Sequence, residues 1–416
     1  MLDYFLMFLA VLALLSIVFE EVTHINKAKT TLFLGCLAWM LLFINAGTEQ
    51  PRINHHLEEN LLEIAILWLF LMSTMTFVAY LNAQGVIQAA IQKIFPAKIG
   101  QRKLMLAIAG FALLLSSFCD NVTATLVSLA LLQSFNLPLD TRIKTAVLVI
   151  FSVNSGGVAL ITGDVTTLMI FLDGHVQITQ LLLLFVPAFI SVAVLAVLLS
   201  LGVQGEVTTE QTKHQFSRLE IIISLIFIGT IGATMALNIL YGVPPVLTFL
   251  TGLSTMFLVG RLLNKDTERP AMLDYIRRIE YDTLLFFLGI LLLVGMLKEI
   301  GVLNMLADAY AQYDPSMSSY FAGVGSALVD NVPLTAALLK AQPDLSVAQW
   351  LALTYAVGVG GSLLVIGSAA GIIAMSKMSE LTFMSYLKYA PALLVAYTLG
   401  YLITMWLSNS LIAVTG

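Results

Sequence analysis

Two short stretches put carboxylates and amides in the middle of apolar runs. One is Ser116-Ser117-Phe118-Cys119-Asp120-Asn121-Val122-Thr123; the other is Ala327-Leu328-Val329-Asp330-Asn331-Val332-Pro333, with its Asp-Asn pair 210 positions later. An ionisable residue deep in an apolar segment is costly and marks a functional site by default, and two in matching places strengthen that reading. A third carboxylate, Asp164, stands in Gly163-Asp164-Val165-Thr166-Thr167, shortly after Asn154-Ser155-Gly156-Gly157. Glycine-rich breaks in a helix expose carbonyl oxygens. With the oxygens of Asp164, Thr166 and Thr167 these suit a hard cation. The later Gly360-Gly361-Ser362 and Gly367-Ser368 offer hydroxyls but no carboxylate.

Each of these has a plainer reading. Asp120 and Asp330 could simply cap helices, although a neutral Asn or Ser would do so without burying a charge. The glycine breaks could be packing kinks, since small residues are common in membrane helices. Asp164 argues against a kink in the first break, and the second stays open between the two readings. His24, His55, His56, His175 and His214 fall in expected loops or at helix ends and read as solvated, with pH sensing as the alternative. Cys36 and Cys119 support neither a disulfide framework nor a metal site.

The elements that must position these residues follow from composition. Of 416 residues, 59% are hydrophobic and 11% charged. That is far too apolar for a soluble core, so the expected class is an all-α polytopic membrane protein. The net charge of −5 says little, because the distribution of Lys and Arg decides orientation. Met1-Leu2-Asp3-Tyr4 lacks the basic start of a signal peptide, so the first apolar run is expected to be retained. No enzyme activity, cofactor or nucleic-acid partner is expected.

Runs long enough to span are 4–19, 31–45 and 64–81, followed by an amphipathic interfacial helix over 85–95. The Asp120 segment (102–136), an interrupted run (145–172) and 181–203 complete a first half. A polar linker over 204–218 precedes a second half with the same order: 221–240, 243–259, 281–297, an interfacial piece from 301, the Asp330 segment (316–342), an interrupted run (347–376) and 389–407. Gly35 matches Gly252. The pairs Gly156-Gly157 with Gly360-Gly361, Gly163 with Gly367, and Pro187 with Pro391 all share an offset of 204. An internal repeat is expected, with units 1–203 and 219–416.

Each arm beside an Asp-Asn pair has about 11–14 residues, roughly 20 Å of helix, against a hydrocarbon core of ~30 Å. Either segment could cross or could enter and return. Charge decides. With two hairpins and the N-terminus outside, all of the 20 Lys and Arg except Arg52, Lys298 and Lys340 fall on the inner side. With two crossings the basic residues divide almost evenly. Hairpins obey the positive-inside rule. Each half then has five crossings, an odd number, so the repeats are expected to be inverted and both termini to lie outside. Inverted repeats, broken helices and a midplane site are the architecture of a secondary transporter.

The stretches Ser116–Thr125, Asn154–Gly157, Gly163–Thr167 and Val329–Pro333, with His24-Ile25-Asn26-Lys27, resemble the NhaD family of sodium/proton antiporters within the ion-transporter superfamily. The resemblance runs over essentially the whole chain. It implies a scaffold from the first three crossings of each half (1–95 and 219–311), a mobile transport part from the rest, a homodimer, elevator-type alternating access and a bacterial inner membrane. One departure is informative: dicarboxylate carriers of the superfamily have Ser-Asn-Thr at the hairpin tips, where this chain has Asp-Asn-Val.

The expected activity is exchange of Na⁺ or Li⁺ for H⁺. Burial favours the protonated form of a carboxylate and a bound cation the ionised form, so the same oxygens hold one or the other. Na⁺ is expected at Asp120, Asn121, Asn154 and Asp164. Thr166, Thr167, Asp330 and Asn331 would complete the site, and Ser116, Ser155, Gly156, Gly157, Gly360, Gly361, Ser362 and Ser368 would support it. The rival reading is a sodium-coupled carrier of an organic anion or oxyanion. Like charges ~4 Å apart repel by about 1 kcal/mol in water and several times more in a less polar site. A dianion is therefore badly placed there, and no Lys or Arg is expected near the tips to offset it. A third reading, an intramembrane aspartyl hydrolase, is disfavoured by the matched Asn121 and Asn331 and by the absence of Gly-x-Gly-Asp at Asp164.

Overall fold

The computed structural model describes residues 2–18, 26–86, 98–208, 217–263, 272–328 and 330–415. Among these, eight helices are long and apolar enough to cross a membrane. Side chains such as Phe33, Ile44, Leu225, Leu258 and Trp406 face outward from them, which only a lipid surround tolerates at this scale. The protein is an all-α polytopic membrane protein.

The first half comprises α1 (Leu2–Val18), α2 (Lys27–Asn45), α3 (Gln50–Ala83), α4 (Gln101–Phe118), α5 (Asn121–Gln133), α6 (Leu139–Gly157), α7 (Val165–Leu172) and α8 (Phe185–Ser200). The second comprises α9 (Arg218–Tyr241), α10 (Pro245–Leu263), α11 (Tyr281–Glu299), α12 (Asn304–Gln312), α13 (Pro315–Gly325), α14 (Asn331–Ala341), α15 (Val347–Gly360), α16 (Ala369–Lys377) and α17 (Ala390–Thr415). The interrupted runs are therefore helix pairs, α6 with α7 and α15 with α16.

The first Asp segment doubles back on itself. Thr141 Oγ1 donates to Gln101 Oε1 at 3.3 Å, which sets the starts of α4 and α6 side by side. Ser116 Oγ lies 2.7 Å from Val153 O, so the two helices run parallel to their far ends. Since α5 leads from that far end back to the start of α6, it must run opposite to α4. Close backbone approach makes this possible. A Cβ at Gly156 would lie 2.1 Å from Leu113 O.

The second half repeats the arrangement. Ser326 Oγ donates to Val357 O at 3.0 Å, and a Cβ at Gly360 would lie 2.0 Å from Gly323 O. The breaks are also alike. Asp164 caps α7 by accepting from the Thr166 N–H, and Ser368 caps α16 by accepting from the Gly371 N–H.

Several expectations need correction. The inward arm α4 has 18 residues, longer than expected, because its helix begins in the polar Gln101-Arg102-Lys103, where Arg102 Nε donates to Val203 O. The stretch after residue 203 is not all linker. Glu206–Thr208 pairs antiparallel with Lys98–Gly100, with Ile99 opposite Val207; 209–216 lie outside the described residues. So does most of the interfacial helix expected over 85–95.

The histidines also differ from expectation. His56 Nδ1 is 2.5 Å from Glu299 Oε2, and the His175 ring stacks on Trp350 at 3.8 Å. Neither is a freely solvated loop residue. His24 and His214 lie outside the described residues.

Candidate functional site

The break between α6 and α7 faces the tips of both Asp segments. Asn121 Nδ2 donates to Asp164 Oδ2 at 2.9 Å, and Asn331 Nδ2 donates to the same oxygen at 3.1 Å. Asp164 Oδ1 takes the Thr166 N–H at 3.0 Å. One buried carboxylate thus collects an amide from each half of the chain. Charge-assisted bonds of this kind are the stronger class.

The two tip carboxylates are held differently. Asp120 Oδ1 accepts from the Thr123 N–H and Oδ2 from the Thr123 hydroxyl, both at 2.9 Å. It is a capping residue in full, and it also lines the cavity. Asp330 Oδ1 receives only a long bond from Val332 N, 3.4 Å. Its Oδ2 lies 3.5 Å from Lys27 Nζ. The absence of a basic residue at the tips, expected from sequence, is overturned by Lys27, which opens α2 and also sits 4.8 Å from the centre of the Phe286 ring.

These groups surround a cavity of about 230 Å³ lined by Asp120, Asn121, Asn154, Asp164, Asp330, Asn331 and Ser368. Its rim is formed by Asn26, Lys27, Glu280, Asp282 and Thr283, with Phe286 and Phe287. Asn26 joins two helices there: its Oδ1 caps α2 at Ala28 N, and its Nδ2 donates to Asp282 Oδ2 at 2.8 Å. Glu280 stands just ahead of α11. Desolvation by the surrounding wall, reinforced by the charge of Asp120, pushes its carboxyl above the ordinary glutamate range.

The cavity wall offers an unused acceptor. Asn154 Nδ2 donates to Ile150 O and to Ser368 Oγ, both at 3.0 Å, which leaves its buried Oδ1 without a partner. A buried acceptor without a donor is costly and fits a site made to take a cation. Other expected residues stand behind the wall. Thr167 Oγ1 reaches toward Gly157 O at 3.5 Å, and Ser362 Oγ donates to Val359 O. Ser155 is fully buried, Thr166 contributes its backbone, and Gly156, Gly157, Gly360 and Gly361 allow close packing. Ser116 Oγ touches both Val153 O and Asn121 Oδ1 and has one proton to share between them.

The three aspartates are not drawn tightly together. Among the described residues no three His, Cys, Asp or Glu side chains are grouped closely enough for joint metal ligation. Asp164 with the two tip amides forms the compact centre, and Asp120 and Asp330 face it across the cavity.

Over 406 residues the chain is 31% identical to the Na⁺/H⁺ antiporter NhaD of Vibrio parahaemolyticus, covering 89% of this chain and 98% of that protein. The chain belongs to the NhaD family. The NhaD of Alkalimonas amylolytica is 30% identical over 436 residues, covering 96% of this chain and 90% of its own length. Sodium/proton antiporter 2 of Arabidopsis thaliana is 31% identical over 392 residues, covering 89% and 91%. A family model described as citrate transporter matches residues 7–358.

Against this family background, the residues that sequence reading missed are those of the rim. Asn26 and Lys27 lay in a stretch already noted for its likeness to NhaD, but nothing in one dimension linked them to Asp330, 303 positions away. Glu280 and Asp282 looked like ordinary charges at the start of a crossing.

Proposed function

We propose that the chain is a secondary active transporter that exchanges cytoplasmic Na⁺, or Li⁺, for external H⁺. One observation carries the reading: carboxylates from both halves enclose a single cavity, and both tip amides meet one oxygen of Asp164. The relatives at about 30% identity, Na⁺/H⁺ antiporters, agree with it.

In this reading Na⁺ binds at Asp164 with the free Oδ1 of Asn154, and Asn121 turns its own oxygen toward the ion as its amide leaves the carboxylate. Asp120 supplies the second charge from across the cavity, and Asp330 and Asn331 close the site. Ionised carboxylates in an apolar setting seek a cation or a proton, so loading sodium releases protons and loading protons releases sodium. With Asp120 and Asp164 both protonated in turn, about two H⁺ return per Na⁺, which makes exchange electrogenic.

The setting is a bacterial inner membrane, with both termini on the outer side and two inverted repeats whose hairpins enter from opposite faces. The feet of the hairpins support this: Gln133 meets Lys377 O at the foot of the first, while Lys340 pairs with Glu63 at the foot of the second. Two of the basic residues assigned outside are neutralised there, Arg52 by Glu49 and Glu299, and Lys340 by Glu63. A homodimer with elevator-type movement of α4–α8 and α13–α17 against the other helices completes the proposal.

Lys27 and the citrate-transporter family match favour a second reading, carriage of an organic anion. The charge balance opposes it. Five carboxylates, Asp120, Asp164, Glu280, Asp282 and Asp330, line the cavity against Lys27 as its basic side chain. Everted vesicles decide the case. Na⁺ or Li⁺ should collapse an imposed pH gradient, whereas uptake of labelled citrate or succinate without any cation-induced change in that gradient would favour the carrier.

A further inference from the structure

We propose that the cavity is also a binding site for organic monocations, an ammonium group carried on a compact apolar body, which bind in competition with sodium. The proposal rests on the antiport reading above only in placing sodium in the same cavity.

The cavity is too roomy for a bare ion. A dehydrated sodium calls for a tight cage of oxygens, yet Asp120, Asp164 and Asp330 stand apart around a space of about 230 Å³. That volume approaches the range of clefts that take small organic ligands, roughly 300–1,000 Å³.

Much of the wall is apolar. Leu71 and Met75 come from α3, Phe286 and Phe287 from α11, and Ile372 and Ile373 from α16. Surface of this kind stabilises an apolar partner and does nothing for a hydrated ion. Because α3 and α11 supply one part of it and α16 another, a molecule that fills the cavity is held by both.

Charge selects a cation. Among the described residues that line the cavity, the acidic Asp120, Asp164, Glu280, Asp282 and Asp330 outnumber the basic Lys27. An alkylammonium already makes the contacts such a ligand needs. The Lys27 ammonium, at the end of its aliphatic stem, lies 3.5 Å from Asp330 Oδ2 and 4.8 Å from the centre of the Phe286 ring. A carboxylate together with an aromatic face is a favourable setting for an ammonium group. A free ligand sets its ammonium among the carboxylates and its body against Phe287, Ile372 and Ile373.

Displacement of radiolabelled sodium from the purified full chain tests this, with methylammonium, benzylammonium, neutral benzyl alcohol and benzoate as probes. Benzylammonium should act at about tenfold lower concentration than methylammonium, because burial of its ring adds to the same charge. Benzyl alcohol and benzoate should leave sodium bound. Ile372→Ala should shrink the preference for benzylammonium over methylammonium severalfold. Equal potency of the two ammonium ions on the wild type would overturn the proposal, and so would displacement by benzyl alcohol or benzoate at similar concentrations. Neither result needs the variant to fold. An undiminished preference in Ile372→Ala would place the ring elsewhere and overturn it as well. A wild type that binds no sodium would instead sink the antiport reading. Calorimetric titration with each ammonium ion alone then decides the site: tighter binding of benzylammonium supports it, and no difference overturns it.

Discussion

The two Asp-Asn tips have the same backbone and different chemistry. In each half a serine near the tip touches a carbonyl of the following broken helix, Ser116 at Val153 and Ser326 at Val357. In each, a glycine of the broken helix meets a backbone carbonyl of the inward arm, Gly156 at Leu113 and Gly360 at Gly323. Differences that bear on chemistry stand at the cavity: Asp164 against Ser368, Asn154 against Gly358, and Lys27 beside Asp330. Packing constrains the repeated positions because a backbone carbonyl cannot be redesigned. The cavity-facing positions are free of that constraint, and there the halves have diverged.

The comparison breaks first if the shared framework is not equally strict in both halves. Alanine at Gly156 or at Gly360 would put a methyl group about 2 Å from a backbone oxygen, which requires helices to separate. Overpacking of this kind costs typically about 1–3 kcal/mol and more where backbone must move. Both variants should lose most of their yield of monodisperse protein and melt well below the wild type, by similar amounts. Tolerance at one site and collapse at the other, read by size-exclusion and thermal melting, would mean that the halves are not built alike.

A smaller but sharper difference is expected among the carboxylates. Asp164→Asn should abolish exchange in vesicles with the protein still folded, because it removes the charge on which both tip amides converge. Asp120→Asn retains capping ability and should be as severe, since only the charge is lost. Asp330→Asn should leave turnover but raise the apparent KM for Na⁺ about tenfold, roughly 1.4 kcal/mol, because it removes one of the carboxylates that line the cavity opposite Asp164. Equal and complete loss at all three positions would erase the functional distinction between the halves.

Much of this was legible in one dimension, for reasons particular to membranes. The helices announced themselves because lipid demands long apolar runs, and the breaks because Gly163-Asp164 and Gly367-Ser368 cannot continue an apolar helix. The shared offset of 204 paired the two glycine breaks. Less legible was which oxygen faces what. Asp120, Asp164 and Asp330 were all recognisable as costly charges. That Asp120 spends both oxygens on Thr123 while Asp164 gathers the amides depends on helix rotation, to which composition is blind. Lys27 was missed because its meaning is a contact over 303 positions. Where the hydroxyls of Thr167 and Ser362 turn was equally illegible: they meet the backbone carbonyls of Gly157 and Val359.

The smallest expected effect lies at the rim, and it separates the mouth of the cavity from its floor. Glu280 stands outside the spanning part of α11, and protein crowding together with nearby Asp120 pushes its carboxyl above the ordinary glutamate range. It therefore keeps its proton under mildly acidic conditions and loses it as the pH rises. The charge then appears beside Asp282 and draws sodium toward the mouth, partly offset by Lys27. Glu280→Gln should match the wild type at pH values where the carboxyl is protonated and show a higher KM for Na⁺ above them. The change should be modest, about twofold, because an exposed charge is screened. Stability should move the other way. A raised proton affinity in the folded state means that stability present at low pH declines as pH rises through the folded value. Glutamine has no proton to lose, so the variant should melt slightly later than the wild type once the pH has passed the raised value of Glu280, and together with it in acid. Weaker sodium affinity and later melting over the same pH range would identify Glu280 as an attracting charge at the mouth. A KM change of the same size at every pH would mean that the glutamate acts by shape or hydrogen bonding, and that the rim contributes nothing to pH dependence.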